Sequence, residues 1–303
     1  MGAAPSLQRG ASQMDVPRKR SGGVLERVGA GMIGPMTSDA PLTGLVVCLD
    51  DVDVDELVGA VEVLVQEGFR NFALAAGSEA LGETIEIFAA RARFGAHGVR
   101  STQDLARLVA AGGSFAFVDL PEADAVAAAR EAGVPVWVQA MTPTEVRGVL
   151  ELGADGAMLF PADVVGHAMA KHLETLSLAD RVVPRGGVGA FAAGEWLKAG
   201  APAVCVDQTL LGDALSGGDL GALRDRCSSF IQVQVREEKA AKARAAKMER
   251  ARARAEREAA RAAERAAQEA EKAAAAGPPE AVAPQDADAV VAERPDAVAA
   301  EQE

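Results

Sequence analysis

The stretch Gly153-Ala154-Asp155-Gly156-Ala157-Met158-Leu159-Phe160-Pro161-Ala162-Asp163 carries the reading of the whole chain. A turn of small residues leads into a short apolar run, then into a proline and an acid suited to capping a following helix. Four or five apolar residues are too few for a helix, and no polar alternation marks a half-exposed strand. The stretch therefore reads as one strand of a parallel sheet, buried on both faces, feeding a strand-to-helix loop. In parallel α/β folds the chemistry stands in loops of that kind.

Working outward, the same unit recurs on both sides. Strands are expected at 45–49, 71–74, 93–97, 115–119, 134–139, 157–160, 182–184 and 203–207. Between them, apolar residues at helical spacing predict helices at 55–66, 79–90, 102–111, 122–132, 143–152, 163–176 and 190–199. Leu57, Val61, Leu64 and Val65 show the pattern, and Gly68 closes that helix as a C-cap. Gly112-Gly113, Gly133, Gly153 and Gly200 stand before later strands as turn signals. A repeat of roughly 22 residues, with eight strands, predicts a (β/α)8 TIM barrel of the α/β class; a doubly wound open sheet is the alternative.

The expected division is an arm at 1–43, the barrel at 44–235, a charged helix at 236–276 and an acidic tail at 277–303. The arm mixes Gly, Ser, Pro and basic residues without periodicity and reads as disordered, as does the Ala/Pro-rich tail. A last helix opens near Leu220 and runs on without proline until Gly277-Pro278-Pro279. Beyond Val235 it is almost wholly Ala, Glu, Arg and Lys, strong helix formers, with pairs such as Glu238–Lys242 and Arg265–Glu269 four apart. Met248 is its one large apolar residue there, so a solvated charged helix is expected rather than a zipper; Ala-lined pairing with a partner helix stays open.

Composition narrows the function. A net charge of −13 opposes sequence-independent binding to nucleic acid. No apolar run reaches the ~18 residues that span a bilayer. Arg18, Lys19 and Arg20 lack the apolar segment of a secretory signal after them. Cys48, Cys205 and Cys227 have no zinc spacing, and they read as reduced thiols of a cytoplasmic protein.

Strand ends place Asp50, Asp51, His97, Asp119, Gln139, Met158, Arg185, Asp207 and Gln208 near the mouth of such a barrel. Between Gly44 and Val235 the only lysines are Lys171 and Lys198, both in expected helices. An amine for Schiff-base chemistry is therefore missing from the mouth. His97, Asp119, Gln139 and Asp207, with Asp163, are taken as polar mouth residues and no metal is expected. Arg185-Gly186-Gly187 offers a guanidinium and exposed backbone N–H groups beside a helix N-terminus, a recurrent phosphate cradle that Asp207 would contest.

On Ala157-Met158-Leu159-Phe160-Pro161-Ala162-Asp163 the chain resembles the KDPG/KHG aldolases, whose strand reads close to FKFFPAE. These class I enzymes cleave 2-keto acids through a lysine Schiff base, and the resemblance sets Met158 in the lysine's place. The family's LEVTLRT falls on Phe72-Ala73-Leu74-Ala75-Ala76-Gly77-Ser78, with Ala73 where the acid/base Glu stands and Gly77 where the Arg stands. GAGTV falls on Gly95-Ala96-His97-Gly98-Val99, PTGGI on Pro184-Arg185-Gly186-Gly187-Val188, and GGS on Asp207-Gln208-Thr209. Scaffold residues survive and catalytic ones do not.

The resemblance implies a trimer and an aldolase-like barrel, without cofactor, that has lost its lyase reaction. A noncatalytic ligand-binding or scaffolding role is expected. Its ligand would be a phosphorylated or carboxylate small molecule held by Arg185, Gly186, Gly187, Gln208 and Thr209, and its protein partner would dock on the 236–276 helix. The alternatives are a lyase of altered chemistry using His97, Asp119 and Arg185, and a barrel enzyme binding phosphate or flavin mononucleotide.

Overall fold

The computed structural model describes residues 41–275. The expected arm, but for its last three residues, and the expected tail lie outside them.

Eight parallel strands form one sheet: β1 Gly44–Cys48, β2 Asn71–Ala75, β3 Arg93–Val99, β4 Ala116–Val118, β5 Val136–Ala140, β6 Gly156–Leu159, β7 Val182–Pro184 and β8 Ala203–Val206. Each pairs with its sequence neighbour, and β1 also pairs with β8. β7 lies beside β8, so the sheet is a nearly closed barrel. The helices between the strands are α1 Val54–Glu67, α2 Leu81–Phe88, α3 Thr102–Ala110, α4 Ala123–Glu131, α5 Pro143–Glu151, α6 Ala162–Val165, α7 Ala168–Thr175 and α8 Ala190–Lys198. A short α9 Gln208–Leu211 and a long α10 Leu220–Ala275 follow.

Two corrections to the sequence reading matter for the mouth. The helix expected at 163–176 is two helices, because Gly166 between them takes φ +68, a left-handed conformation that breaks the helical ladder. The helix expected from 79 begins at Leu81, since Ser78 Oγ accepts from the backbone N–H of Ala80 in a local turn.

Two apolar clusters divide the barrel's interior from the layer beneath the helices. Between sheet and helices lie Leu57, Leu64, Phe88, Leu108, Leu173 and Trp196 among others. Inside the barrel lie Val46, Ala73, Phe115, Phe117, Trp137 and Met158, with Cys48 and Cys205. The Phe115 and Phe117 rings meet edge to face at 5.6 Å, and Phe117 lies 5.9 Å from Trp137. Glycine on neighbouring strands makes room for them: a Cβ on Gly95 would come within 2.4 Å of Phe115, and one on Gly156 within 2.7 Å of Trp137. The interior is thus filled by rings on β4 and β5 against small residues on β3 and β6.

The chain forms two compact units, one ending at Val233 and the other beginning at Gln234. In the first, α10 buries Leu223, Cys227 and Phe230. In the second, residues 241–272 are exposed throughout. Among the described residues no helix is long and apolar enough to cross a membrane.

Candidate functional site

The C-terminal ends of β2 to β7 surround a cavity of about 520 Å3, lined in part by His97, Arg100, Asp119, Gln139, Phe160 and Arg185. His97 lies within β3, where the register sets it opposite Ala75. Its Nε2 is 2.8 Å from the carbonyl of Leu49, and its Nδ1 is 3.1 Å from Arg185 Nη2. A carbonyl can only accept and a guanidinium can only donate, so Nε2 carries the proton and Nδ1 accepts from Arg185. Burial pushes the imidazole down to about 4, and the Arg185 charge adds to this; the Leu49 carbonyl, Asp119 and Asp50 oppose it. His97 is therefore neutral near pH 7, and its one lone pair is engaged by Arg185.

Arg185 follows β7 and lies with its guanidinium carbon 5.6 Å from the centre of the Phe160 ring. Its backbone N–H donates to Leu159, and its carbonyl accepts from Ala162. The Gly186 carbonyl accepts from Asp163, which ties this turn to the loop after β6. Gly186 and Gly187 both have positive φ, and a Cβ on Gly187 would come within 2.7 Å of the Asp163 carboxylate. Asp163 thus packs against the glycine turn rather than facing the cavity.

The other expected ligand-binding residues turn to partners within the chain. Thr209 Oγ1 donates to the Val188 carbonyl at 2.7 Å, and Gln208 Nε2 donates to Asp50 Oδ2 at 2.7 Å. Asp207 has its carboxyl raised by burial and by Asp50, while Arg185 and the backbone N–H groups of Gly187 and Thr209 pull it down. A carboxyl group of the chain itself thus faces the Gly187 N–H of the glycine turn. Among the described residues neither Arg185 Nε nor Asp207 Oδ1, both buried, has a hydrogen-bond partner. Asp119 lies 3.5 Å from Arg100 Nε.

Beneath this polar layer the barrel is apolar. Met158 on β6 is fully buried, set between Gln139 on β5 and Val183 on β7. Ala73 on β2 is fully buried between Cys48 and Gly95. Lys171 is exposed on α7, and Lys198 on α8 reaches Glu195 at 3.5 Å. The structure therefore gathers His97, Asp119, Gln139 and Arg185 around one cavity and leaves Asp207, Gln208 and Thr209 off its wall. The direct His97–Arg185 bond was missed in the sequence. Its only trace there is that both residues stand at strand ends.

The KDPG and KHG aldolase family profile matches residues 38–225, well over half of the chain. The chain belongs to the KDPG/KHG aldolase family. Solved structures agree in fold. The native KDPGal structure has a TM-score of 0.57 at 19% identity, covering 64% of this chain and 96% of its own. A 4-hydroxy-2-oxoglutarate/KDPG aldolase has 0.55 at 25% identity, covering 63% and 94%. A cube-shaped porous cage designed by fusing symmetric oligomeric domains has 0.58 at 20% identity, covering 77% and 86%. No curated protein matches the sequence.

Proposed function

We propose that this aldolase-family barrel is noncatalytic as a lyase, that its mouth binds a small anion at Arg185, and that its helical extension binds a partner. The observation that carries this reading is that Met158, which the resemblance sets in the place of the Schiff-base lysine, is fully buried on β6. A thioether cannot form an imine, and Ala73 in the acid/base place cannot move a proton. His97 is a poor replacement base, because its lone pair already accepts from Arg185. The phosphate form of the ligand reading is weakened by Asp207, whose charge faces the glycine turn that would hold a dianion. No cofactor is needed for this role, and three buried free thiols suit a cytoplasmic protein.

The partner reading rests on residues 236–272, with twelve Lys and Arg against eight Glu in a chain of net charge −13. Lys247, Arg250, Arg254, Arg257, Arg261 and Arg265 recur at intervals of three and four, which puts them in one row along an exposed helix. An acidic or helical protein partner fits such a row. The family resemblance implies a trimer, and likeness to a cage built from symmetric oligomers supports self-association. Rods held together in an oligomer would bind with multivalent gain.

Borohydride reduction of the full chain in the presence of pyruvate tests the catalytic part. The expected mass spectrum shows unmodified protein, and an adduct on any lysine overturns the reading. Truncation after Val235 tests the rest: the barrel should sediment as an oligomer and lose its partners in a pull-down. Retention of the same partners, or a monomer at micromolar concentration, would count against the corresponding half.

A further inference from the structure

The mouth cavity does not end at its polar wall. A second cavity of about 640 Å3 shares Asp119, Gln139 and Phe160 with it and continues between the loop after β4 and helix α5. Its far side is apolar, formed by Pro121, Met141, Val149 and Leu152. Met141 is 36% exposed and Leu152 39%, while Leu120 beside them is 46% exposed, so large apolar side chains face solvent on one side of the mouth. Phe160 joins the two spaces, with Arg185 over its ring.

The charges at the junction select the anion. Arg185 lines the mouth cavity with its guanidinium over Phe160, while its Nε–H, like Asp207 Oδ1, is shut off from solvent and has no hydrogen-bond partner among the described residues. Arg100 has Asp119 at 3.5 Å, and Asp104 Oδ2 accepts from the Arg100 backbone N–H. Glu145, on the apolar side, is spent in its capping box, accepting from the backbone N–H groups of Met141 and Thr142. His97 is neutral. Arg185 is therefore the cation beside Phe160 at the junction, and Asp104 and Asp119, which line the same cavity, would repel a second negative charge.

Resting on the reading that the mouth binds a small anion, we infer that its ligand is an amphipathic monocarboxylate. The carboxylate sits on Arg185, and an apolar body passes over Phe160 into the groove of Met141 and Leu152. A phosphorylated sugar acid meets neither requirement: it brings too much charge to the aspartates and hydroxyls to an apolar wall.

Calorimetric titration of the full chain with acetate, butyrate, hexanoate and octanoate, beside inorganic phosphate and pyruvate, tests this. Affinity should rise by up to about fourfold for each methylene buried. Octanoate should bind more tightly than phosphate or pyruvate, and Arg185→Lys, which keeps the charge and loses the fork, should weaken every acid. Leu152→Asn, which removes the apolar wall without adding charge, should weaken octanoate at least tenfold and leave acetate unchanged. Arg185-dependent binding without dependence on chain length would overturn the amphipathic ligand and leave the anion-binding mouth standing. No Arg185-dependent binding of any acid would remove both. If Leu152→Asn instead shifts the protein to a smaller species in sedimentation, the groove is an interface between copies and the inference fails.

Discussion

Helix α1 buries Leu57, Ala60, Val61, Val63, Leu64 and Val65 within 14 residues, while residues 241–272 of α10 bury none. The first helix is held by tertiary burial, at about 25 cal/mol for each Å2 of apolar surface removed from water. The second depends on the intrinsic preference of alanine and on ion pairs such as Arg252–Glu256 at 2.9 Å and Arg254–Glu258 at 2.8 Å. These pairs run Arg before Glu, the weaker of the two orders on a helix. The lesson is that the same secondary structure carries different information in the two places. A barrel helix says what lies beneath it. The exposed run says only that alanine and charge recur along it.

The hardest blow to the buried half of this contrast is Met158→Lys. An ammonium placed among Phe117, Trp137 and Val183 has no partner, so the variant should lose about 3 kcal/mol or more of stability in urea denaturation. On the proposed reading it should also release no pyruvate from KDPG, because Ala73 cannot move a proton in the place of an acid/base. A stable, active Met158→Lys protein would show that the interior is a polar site after all.

Next in size is the mouth's response to pH. His97 falls to about 4 in the folded chain from an ordinary value of 6.5. Between those values the unfolded chain binds more protons than the folded one, so this contribution is complete above pH 6.5 and is lost as pH falls toward 4. On the order of 2–3 kcal/mol is at stake, and His97→Gln should flatten that part of the stability profile. The exposed run of α10 holds no histidine, so its helical circular dichroism should not follow the same curve.

The exposed half is broken more gently. Ala255→Gly should cost about 1 kcal/mol of local helix stability, seen as faster amide exchange around it, with the urea midpoint of the barrel unmoved. Smallest of all is the coupling between Arg252 and Glu256. A double-mutant cycle should give a few tenths of a kcal/mol, vanishing in high salt.

Much of the barrel was legible because its signals are local. Short apolar runs at 45–49, 71–74 and 157–160, glycine turns before them, and 3.6-residue spacing between them sufficed for strand and helix order. The break at Gly166 was not legible, since an isolated glycine in a helical pattern is as often tolerated as obeyed. The residue types at the strand ends were legible too, with lysine not among them.

Other features depended on residues distant in sequence meeting in space. His97 and Arg185 stand 88 positions apart and meet only because β3 and β7 both open at one end of a closing barrel. Asp207 comes to face the N–H of Gly187 only because β8 lies beside β7. The mouth and the groove of Met141 and Leu152 share Asp119, Gln139 and Phe160, which three different strand ends bring together. By itself the sequence determined the alternation of strand and helix, the exposed charged helix and which side chains stand at the strand ends, each set by residue type at a position or its near neighbours. The tertiary structure alone decided which lone pair Arg185 occupies, which carboxylate faces the glycine turn and where the cavity continues, because these depend on distances between strand ends that only barrel closure sets.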